Sequence, residues 1–153
     1  DAIGWAAILS QLLAALGSLF AKAGIGKIVS DIVASAIPTD SALAVVIAYC
    51  LGMAIFTIIM GNAFAAFAVI TSGIGIPLVI MGHGADPLIV APIAMLAGYC
   101  GTLMTPMAAN FNIVPAALLE MQSKYGVIRA QIPLAISLLA ANILLMYILG
   151  FHR

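Results

Sequence analysis

The chain has 153 residues, of which 65% are hydrophobic and only 7% are charged, and its formal net charge is zero. A soluble domain has about 25% charged residues, so this chain folded as a soluble globule would expose large apolar patches to water. The composition predicts a membrane protein. It excludes a nucleic-acid-binding protein, because no cluster of Lys and Arg could neutralise a run of phosphates.

Two helices are predicted at the N-terminal end. The stretch from Ile3 to Ala21 carries no charge, and at about 1.5 Å per residue it matches the ~30 Å hydrocarbon core, which predicts one spanning helix. From Ile25 to Ile37 apolar residues recur at spacings of three and four, with Lys27 and Asp31 between them. This pattern is typical of an amphipathic helix that lies at the membrane surface.

The longest uncharged stretch runs from Ser41 to Gly82 and is too long for one span. Asp40 or Ser41 can cap its start. We predict two helices, Ala42–Met60 and Ala63–Met81, on either side of Gly61-Asn62. They form either a fully spanning pair, with a turn at the membrane face, or a re-entrant hairpin with its tip at membrane depth. The absence of charge at the turn, and its small and polar residues, suit the second arrangement.

A loop, Gly82–Pro87, separates this pair from a second long apolar stretch, Leu88–Met121. We predict an interruption from Gly98 onward, because Pro106 donates no backbone hydrogen bond and clashes with the preceding turn. Two glycines, two threonines and two asparagines occur between Gly98 and Asn112, and these residues must face protein or water rather than lipid. A charged loop then leads to a final spanning helix, Val127–Phe151.

The sequence offers no constellation for catalysis or for a metal site. Apart from Asp31 in the predicted surface helix, the acidic residues lie at chain ends or in loops, without carboxylate pairs or paired His ligands. We therefore predict neither an enzyme nor a metal site. Cys50 and Cys100 lie singly in apolar stretches and are expected to be buried free thiols. The polar interruptions of apolar helices are therefore the features that point to function.

A broken helix exposes unpaired amides, which attract an anion with the help of the helix dipole, and unpaired carbonyls, which can coordinate Na⁺. Pro106, for example, should free the carbonyl of Thr102 for an ion. The alternative is that these polar residues only mediate helix packing, which we favour for Thr71 and Ser72. The residues expected to bind a substrate anion or its coupling ion are Gly61, Asn62, Thr102, Thr105, Asn110 and Asn112, and we expect three of them to converge: Asn62, Thr105 and Asn110.

Three segments, Gly61–Phe67, Gly84–Pro87 and Gly98–Asn112, resemble a family of bacterial proteins, the membrane subunits of two-subunit 5-oxoproline transporters. The resemblance covers essentially the whole chain and implies that residues 1–153 form a single transmembrane domain, the C-terminal half of such a subunit. The start at Asp1, without Met or a basic segment, agrees with this expectation. The resemblance also implies the bacterial inner membrane and, besides membrane lipid, a second membrane subunit or the missing N-terminal half as partner.

More distantly, the layout resembles one repeat of the ion-transporter superfamily, in which a re-entrant hairpin with a Ser-Asn-Thr tip precedes a broken helix. Gly61-Asn62-Ala63 takes the position of the tip and keeps only its Asn. Thr105-Pro106 takes the position of the break, followed by Asn110. The expected fold is therefore an all-α polytopic membrane protein, one inverted-repeat unit with a re-entrant helical hairpin and a broken transmembrane helix.

These resemblances imply a subunit of an ion-coupled secondary transporter for a small organic anion, 5-oxoproline, with Na⁺ as the candidate coupling ion and no other cofactor. The alternative is an accessory or scaffold membrane subunit that packs against a transporting partner without binding substrate. Polar interruptions that face an aqueous cavity would favour the transporter, whereas polar residues that all contact neighbouring helices would favour the scaffold.

Overall fold

The computed structural model describes residues 37–151 continuously, together with residues 15, 19, 22–24, 27, 28, 31, 32 and 35. Two predicted helices lie outside the described residues except for isolated positions: the first spanning helix, Ile3–Ala21, and the surface helix, Ile25–Ile37. Regular secondary structure in the continuous part is entirely helical, as predicted.

Helix α1 spans Ala42–Met60, with the bounds that the sequence predicted. Ser41 is its N-cap, and the Ser41 hydroxyl accepts a hydrogen bond from an amide of the first turn. The helix ends at Gly61, where φ is +72°, a left-handed conformation that favours glycine. The N–H of Gly61 donates to the carbonyl of Thr57, so this carbonyl of the last turn is satisfied by the backbone.

The second arm of the hairpin begins at Asn62, whose Oδ1 accepts a hydrogen bond from the N–H of Phe64 at 2.9 Å. Asn62 is thereby the N-cap of helix α2, Ala63–Ile70. The arm continues without interruption as a π-helix over Thr71–Gly82, which contains Pro77. A π-helix pairs residues five apart instead of four and occurs at functional or irregular positions of helices. The sequence predicted one helix over Ala63–Met81, and the structure changes helix type within it, at Thr71.

Helix α3 spans Pro87–Met104, and Asp86 is its N-cap. The chain then leaves helical geometry and resumes as α4, Ala109–Leu118. After a loop, α5 spans Gly126–Gly150. The predicted interruption of the long apolar stretch is therefore present, and it lies between Met104 and Ala109.

The interruption is shorter than predicted, because Gly98 and Gly101 lie inside α3. Both are buried where α3 crosses α1, and a Cβ at either position would overlap atoms of α1. Small residues allow the backbones of membrane helices to approach closely. The two glycines therefore serve helix packing, and the break begins only at Thr105.

Four helical segments of the described part are long and apolar enough to cross a membrane: Ala42–Met60, Ala63–Gly82, the bent pair Pro87–Leu118, and Gly126–Gly150. The two arms of the hairpin have 19 and 20 residues, which is the length of a full span. The depth of the hairpin tip therefore remains a prediction. The core lies between α1, α3 and the second arm, and α5 packs along α1 and α3.

Hydrogen bonds define the two ends of the bundle. At one end, Nε2 of His83 lies 2.8 Å from the carbonyl oxygen of Thr39, and the N–H of Asp86 donates to the carbonyl of Gly150. At the other end, the hairpin tip meets the interruption between α3 and α4. This second meeting point brings together the polar segments that the sequence singled out.

Candidate functional site

A pocket of about 400 Å³ lies where the hairpin tip meets the interruption. Its volume falls in the range of small-molecule sites, about 300–1,000 Å³. The pocket is lined by the hairpin tip, by α3 and by the start of α4, with the residues Gly61, Asn62, Ala63, Phe64, Tyr99, Thr102, Met107, Ala108, Ala109, Asn110 and Phe111.

Four of the six predicted site residues line the pocket: Gly61, Asn62, Thr102 and Asn110. The two interruptions therefore meet, although they are about forty residues apart in the sequence. Their contact is close, since a Cβ on Gly61 would lie 2.8 Å from the backbone of Met107. The other two predicted residues, Thr105 and Asn112, do not line the pocket and are 1% and 0% exposed.

The two asparagines that line the pocket still have hydrogen-bonding groups to offer. Asn62 uses Oδ1 as the cap of α2, and within the described part of the chain its Nδ2 group makes no hydrogen bond. Asn110 is exposed, and its side chain makes none with any described residue. Each side chain can therefore present two N–H donors to a bound anion.

The first turns of α2 and α4 both line the pocket. The first amides of a helix have no intrahelical partner and carry the partial positive charge of the helix dipole. At α4 the N-cap is Ala108, which has no side chain that could accept from these amides. At α2 the Oδ1 of Asn62 already accepts from the amides of Phe64 and Ala65. The α2 end therefore contributes mainly its dipole to the pocket, and the α4 end contributes its dipole and its first amides, which together favour an anion.

The walls of the pocket are apolar and aromatic, which the sequence pattern did not predict. The rings of Phe64 and Tyr99 pack edge to face, with centroids 6.3 Å apart, and Phe111 is 62% exposed at the start of α4. None of the residues that line the pocket is charged. Aromatic residues in apolar helices normally indicate packing. The one signal in the sequence for a place in the pocket was proximity to the predicted site residues: Phe64 lies two residues after Asn62, and Tyr99 lies three residues before Thr102.

Thr105 connects the interruption to the end of α1. Its Oγ1 donates to the carbonyl of Ile58 at 2.7 Å and accepts from the N–H of Met107 at 3.2 Å. The hydroxyl is thus engaged on both sides, and one of its partners, Met107, lines the pocket. Thr105 holds the wall of the pocket in place.

Asn112 reaches back from α4 to the end of α3. Its Nδ2 donates to the carbonyls of Thr102 and Thr105, at 2.8 and 2.7 Å. Pro106 has no N–H, so the carbonyl of Thr102 lacks its usual helical donor. The sequence suggested this carbonyl as a ligand for an ion. In the structure it accepts a hydrogen bond from Asn112, as does the carbonyl of Thr105.

The other polar groups considered in the sequence lie away from the pocket. Thr71 Oγ1 lies 2.7 Å from the hydroxyl of Tyr49, and the hydroxyl of Ser72 donates to a carbonyl of its own helix. These contacts agree with a packing role. Cys50 and Cys100 are buried and free, as predicted. Among the described residues, no group of three or more His, Cys, Asp or Glu side chains could hold a metal ion.

Comparison with known proteins identifies a family, and the helices indicate the class of protein. No curated protein and no solved structure matches the chain. The four candidate spans indicate a multi-pass membrane protein. A family model described as "Protein of unknown function (DUF979)" matches residues 1–151, which include every residue that lines the pocket. The chain therefore belongs to the DUF979 family.

Proposed function

We propose that this protein is a subunit of an ion-coupled secondary transporter for a small organic anion, with 5-oxoproline as the candidate substrate. The observation that carries the proposal is the pocket between the hairpin tip and the interruption of α3 and α4. Secondary transporters bind their substrates where membrane helices are discontinuous and half-helix N-termini face the anion. The pocket has this arrangement without any charged side chain.

In the proposed binding mode, the carboxylate of the substrate lies at the N-termini of α2 and α4. Asn62 and Asn110 donate hydrogen bonds to it, and the apolar part of the substrate packs on Phe64 and Tyr99. The helix dipoles and amides offset the loss of hydration that the anion suffers on entry.

The six predicted residues divide into two groups under this proposal. Gly61, Asn62, Thr102 and Asn110 contact the substrate or its coupling ion, because they line the pocket. Thr105 and Asn112 hold the backbone around it, because their side chains bond to carbonyls at the interruption. Na⁺ remains the candidate coupling ion.

The proposal includes the finer features that the resemblance implies: a re-entrant hairpin, an inverted-repeat unit that forms the C-terminal half of a longer subunit, a second membrane subunit and the bacterial inner membrane. The uncharged tip at Gly61-Asn62 supports the first of these. The exposed start of α4 supports the partner. The side chain of Asn110 is exposed there and needs protein or water beside it, because lipid offers no hydrogen bonds.

Uptake into vesicles tests the proposal directly. Vesicles that contain this protein, with and without the suspected second subunit, are given labelled 5-oxoproline under an imposed Na⁺ or proton gradient. We expect gradient-dependent uptake that requires the protein. Absence of uptake under both gradients, with the partner present, would contradict the proposed substrate. If uptake occurs but Asn62→Ala and Thr105→Ala variants that fold normally keep wild-type affinity and ion dependence, the chain is an accessory subunit.

A further inference from the structure

Three hydrogen bonds form a continuous connection between the hairpin and the interruption. Thr105 Oγ1 donates to the carbonyl of Ile58, and Asn112 Nδ2 donates to the carbonyls of Thr105 and Thr102. Both donors are at most 1% exposed. Water therefore does not compete for these bonds, and in a buried environment they are stronger than at a surface.

Each bond supplies a donor to a carbonyl that the helix ends leave unpaired. Ile58 lies in the last turn of α1, whose carbonyls have no intrahelical partner. Thr102 lies four residues before Pro106, which has no N–H. The connection therefore replaces backbone hydrogen bonds that a continuous helix would have made, at the position where the chain is broken.

The orientation of Asn112 satisfies two backbone carbonyls and leaves the acceptor atom of its own side chain unpaired. With Nδ2 on both carbonyls, Oδ1 is buried and has no hydrogen-bond partner among the described residues. A buried acceptor without a donor is destabilising and requires compensation. The compensation available here is that two backbone carbonyls of the interruption are satisfied by one side chain.

The hairpin tip and the interruption also touch directly. Gly61 lies so close to the backbone of Met107 that no side chain would fit between them, and the N–H of Met107 is bonded to Thr105. The two segments that line the pocket are thus joined twice, by a backbone contact and by the chain of buried hydrogen bonds.

We propose that Thr105 and Asn112 are positioning residues that join the hairpin tip and the interruption into one rigid unit. The pocket then keeps its shape without ligand, and the N-termini of α2 and α4 move together in any conformational change. The inference rests on the proposed function, since it describes how the transport site is held. Its structural part, a fixed distance between the two walls, is measurable without any substrate.

Spin-label distances in the full chain, reconstituted in lipid nanodiscs, test this inference. Ile59→Cys and Val114→Cys place labels at exposed positions on α1 and α4 that do not line the pocket; Cys50 and Cys100 are replaced by Ala. We expect one narrow distance for the otherwise unchanged protein without ligand. Thr105→Val and Asn112→Leu should lose the narrow distance, and Thr105→Ser, which restores the hydroxyl, should recover it.

Two matched variants control for the loss of a buried polar group. Thr57 and Tyr49 are also buried, but their side chains bond to Met53 and Thr71, outside the connection. Thr57→Val and Tyr49→Phe should therefore keep the narrow distance. If either broadens the distance as much as Thr105→Val does, general loosening explains the effect and the inference fails.

A narrow distance in both Thr105→Val and Asn112→Leu, or a broad one in the unchanged protein, would overturn the inference. Asn112→Val also lacks N–H donors, so it replaces Asn112→Leu if that variant does not purify as a single species. Absence of uptake in the vesicle assay would count against the proposed function alone, because the distance measurement uses no substrate.

Discussion

The Cα of Gly101 in α3 lies against the backbone carbonyl of Ala54 in α1, so close that a methyl group at position 101 would overlap the carbonyl oxygen. The hydrophobic effect, which drives helices together in water-soluble proteins, is absent between helices in lipid. Membrane helices associate instead through close packing of this kind. The crossing sets the distance between α1 and α3. It thereby sets the distance between the hairpin tip and the interruption that follow these helices.

We expect Gly101→Ala to destabilise the protein by about 1–3 kcal/mol, because the backbone of α1 must move to admit a methyl group. Thermal unfolding in detergent measures the loss. Gly98→Ala is the control: its methyl group would first meet the end of the flexible Met53 side chain, at 2.9 Å, which can turn away. Equal losses in the two variants would argue against the backbone contact as the cause.

Asn62 should show two separable roles, one in folding and one in binding. Asn62→Asp keeps an oxygen that can cap α2, so we expect little loss of stability, whereas Asn62→Ala removes the cap and should lose about 1 kcal/mol. Both variants remove the Nδ2 donors and should weaken anion binding by about 1–3 kcal/mol, with Asp the weaker binder because its charge repels the anion. Thermal unfolding and titration with 5-oxoproline measure the two effects; wild-type affinity in Asn62→Asp would contradict the proposed contact.

The hydrogen bond between Tyr49 and Thr71 should matter for stability and not for transport. Tyr49→Phe and Thr71→Ala each remove one partner, and we expect losses of about 0.5–1.5 kcal/mol. Uptake of the anion should remain close to that of the wild type, as it should for Cys50→Ala, because these residues do not line the pocket. A several-fold change in uptake affinity for Thr71→Ala would indicate that the π-helix acts on the pocket.

The depth of the hairpin tip can be measured by cysteine labelling. A cysteine at Gly61 would collide with Met107, so Ile59, which is 64% exposed at the end of α1, is the better position. We expect Ile59→Cys to react slowly with a membrane-impermeant reagent from either side, because the tip is predicted to lie within the membrane. Ser123→Cys, in the exposed loop before α5, is the accessible control. Rapid labelling of Ile59→Cys from the face opposite His83 would mean that the hairpin spans fully.

The ends of the helices were readable from the sequence wherever a local signal marks them. Gly61 and Asn62 provide a left-handed C-cap and an Asn N-cap in succession. The two helical arms on either side, Ala42–Met60 and Ala63–Gly82, have the predicted boundaries to within one residue. Pro106 likewise predicted a break close to where it occurs. Caps and prolines act on the few residues around them, which is why a single sequence reveals them.

The partners of these polar residues were not readable, because they depend on packing. The hydroxyl of Thr105 bonds to Ile58, 47 residues earlier, and nothing local indicates that pairing. Gly98 suggested a break, although it lies in a helix crossing, since glycine suits both. The π-helix also escaped prediction: apart from Thr71 and Ser72, the segment Thr71–Gly82 consists of apolar residues, Gly and Pro, a composition that ordinary membrane α-helices share.

The bond between Thr105 and Ile58 has a consequence for the order of events during synthesis. The turn at Gly61 and Asn62 closes with bonds to Thr57, Phe64 and Ala65, all within the hairpin. This part of the tip can therefore form as soon as the hairpin has left the ribosome. The carbonyl of Ile58 gains its hydrogen bond later, because its donor, Thr105, is synthesised 47 residues after it. Until then the nascent hairpin enters the bilayer with that polar group open to water or to the insertion machinery.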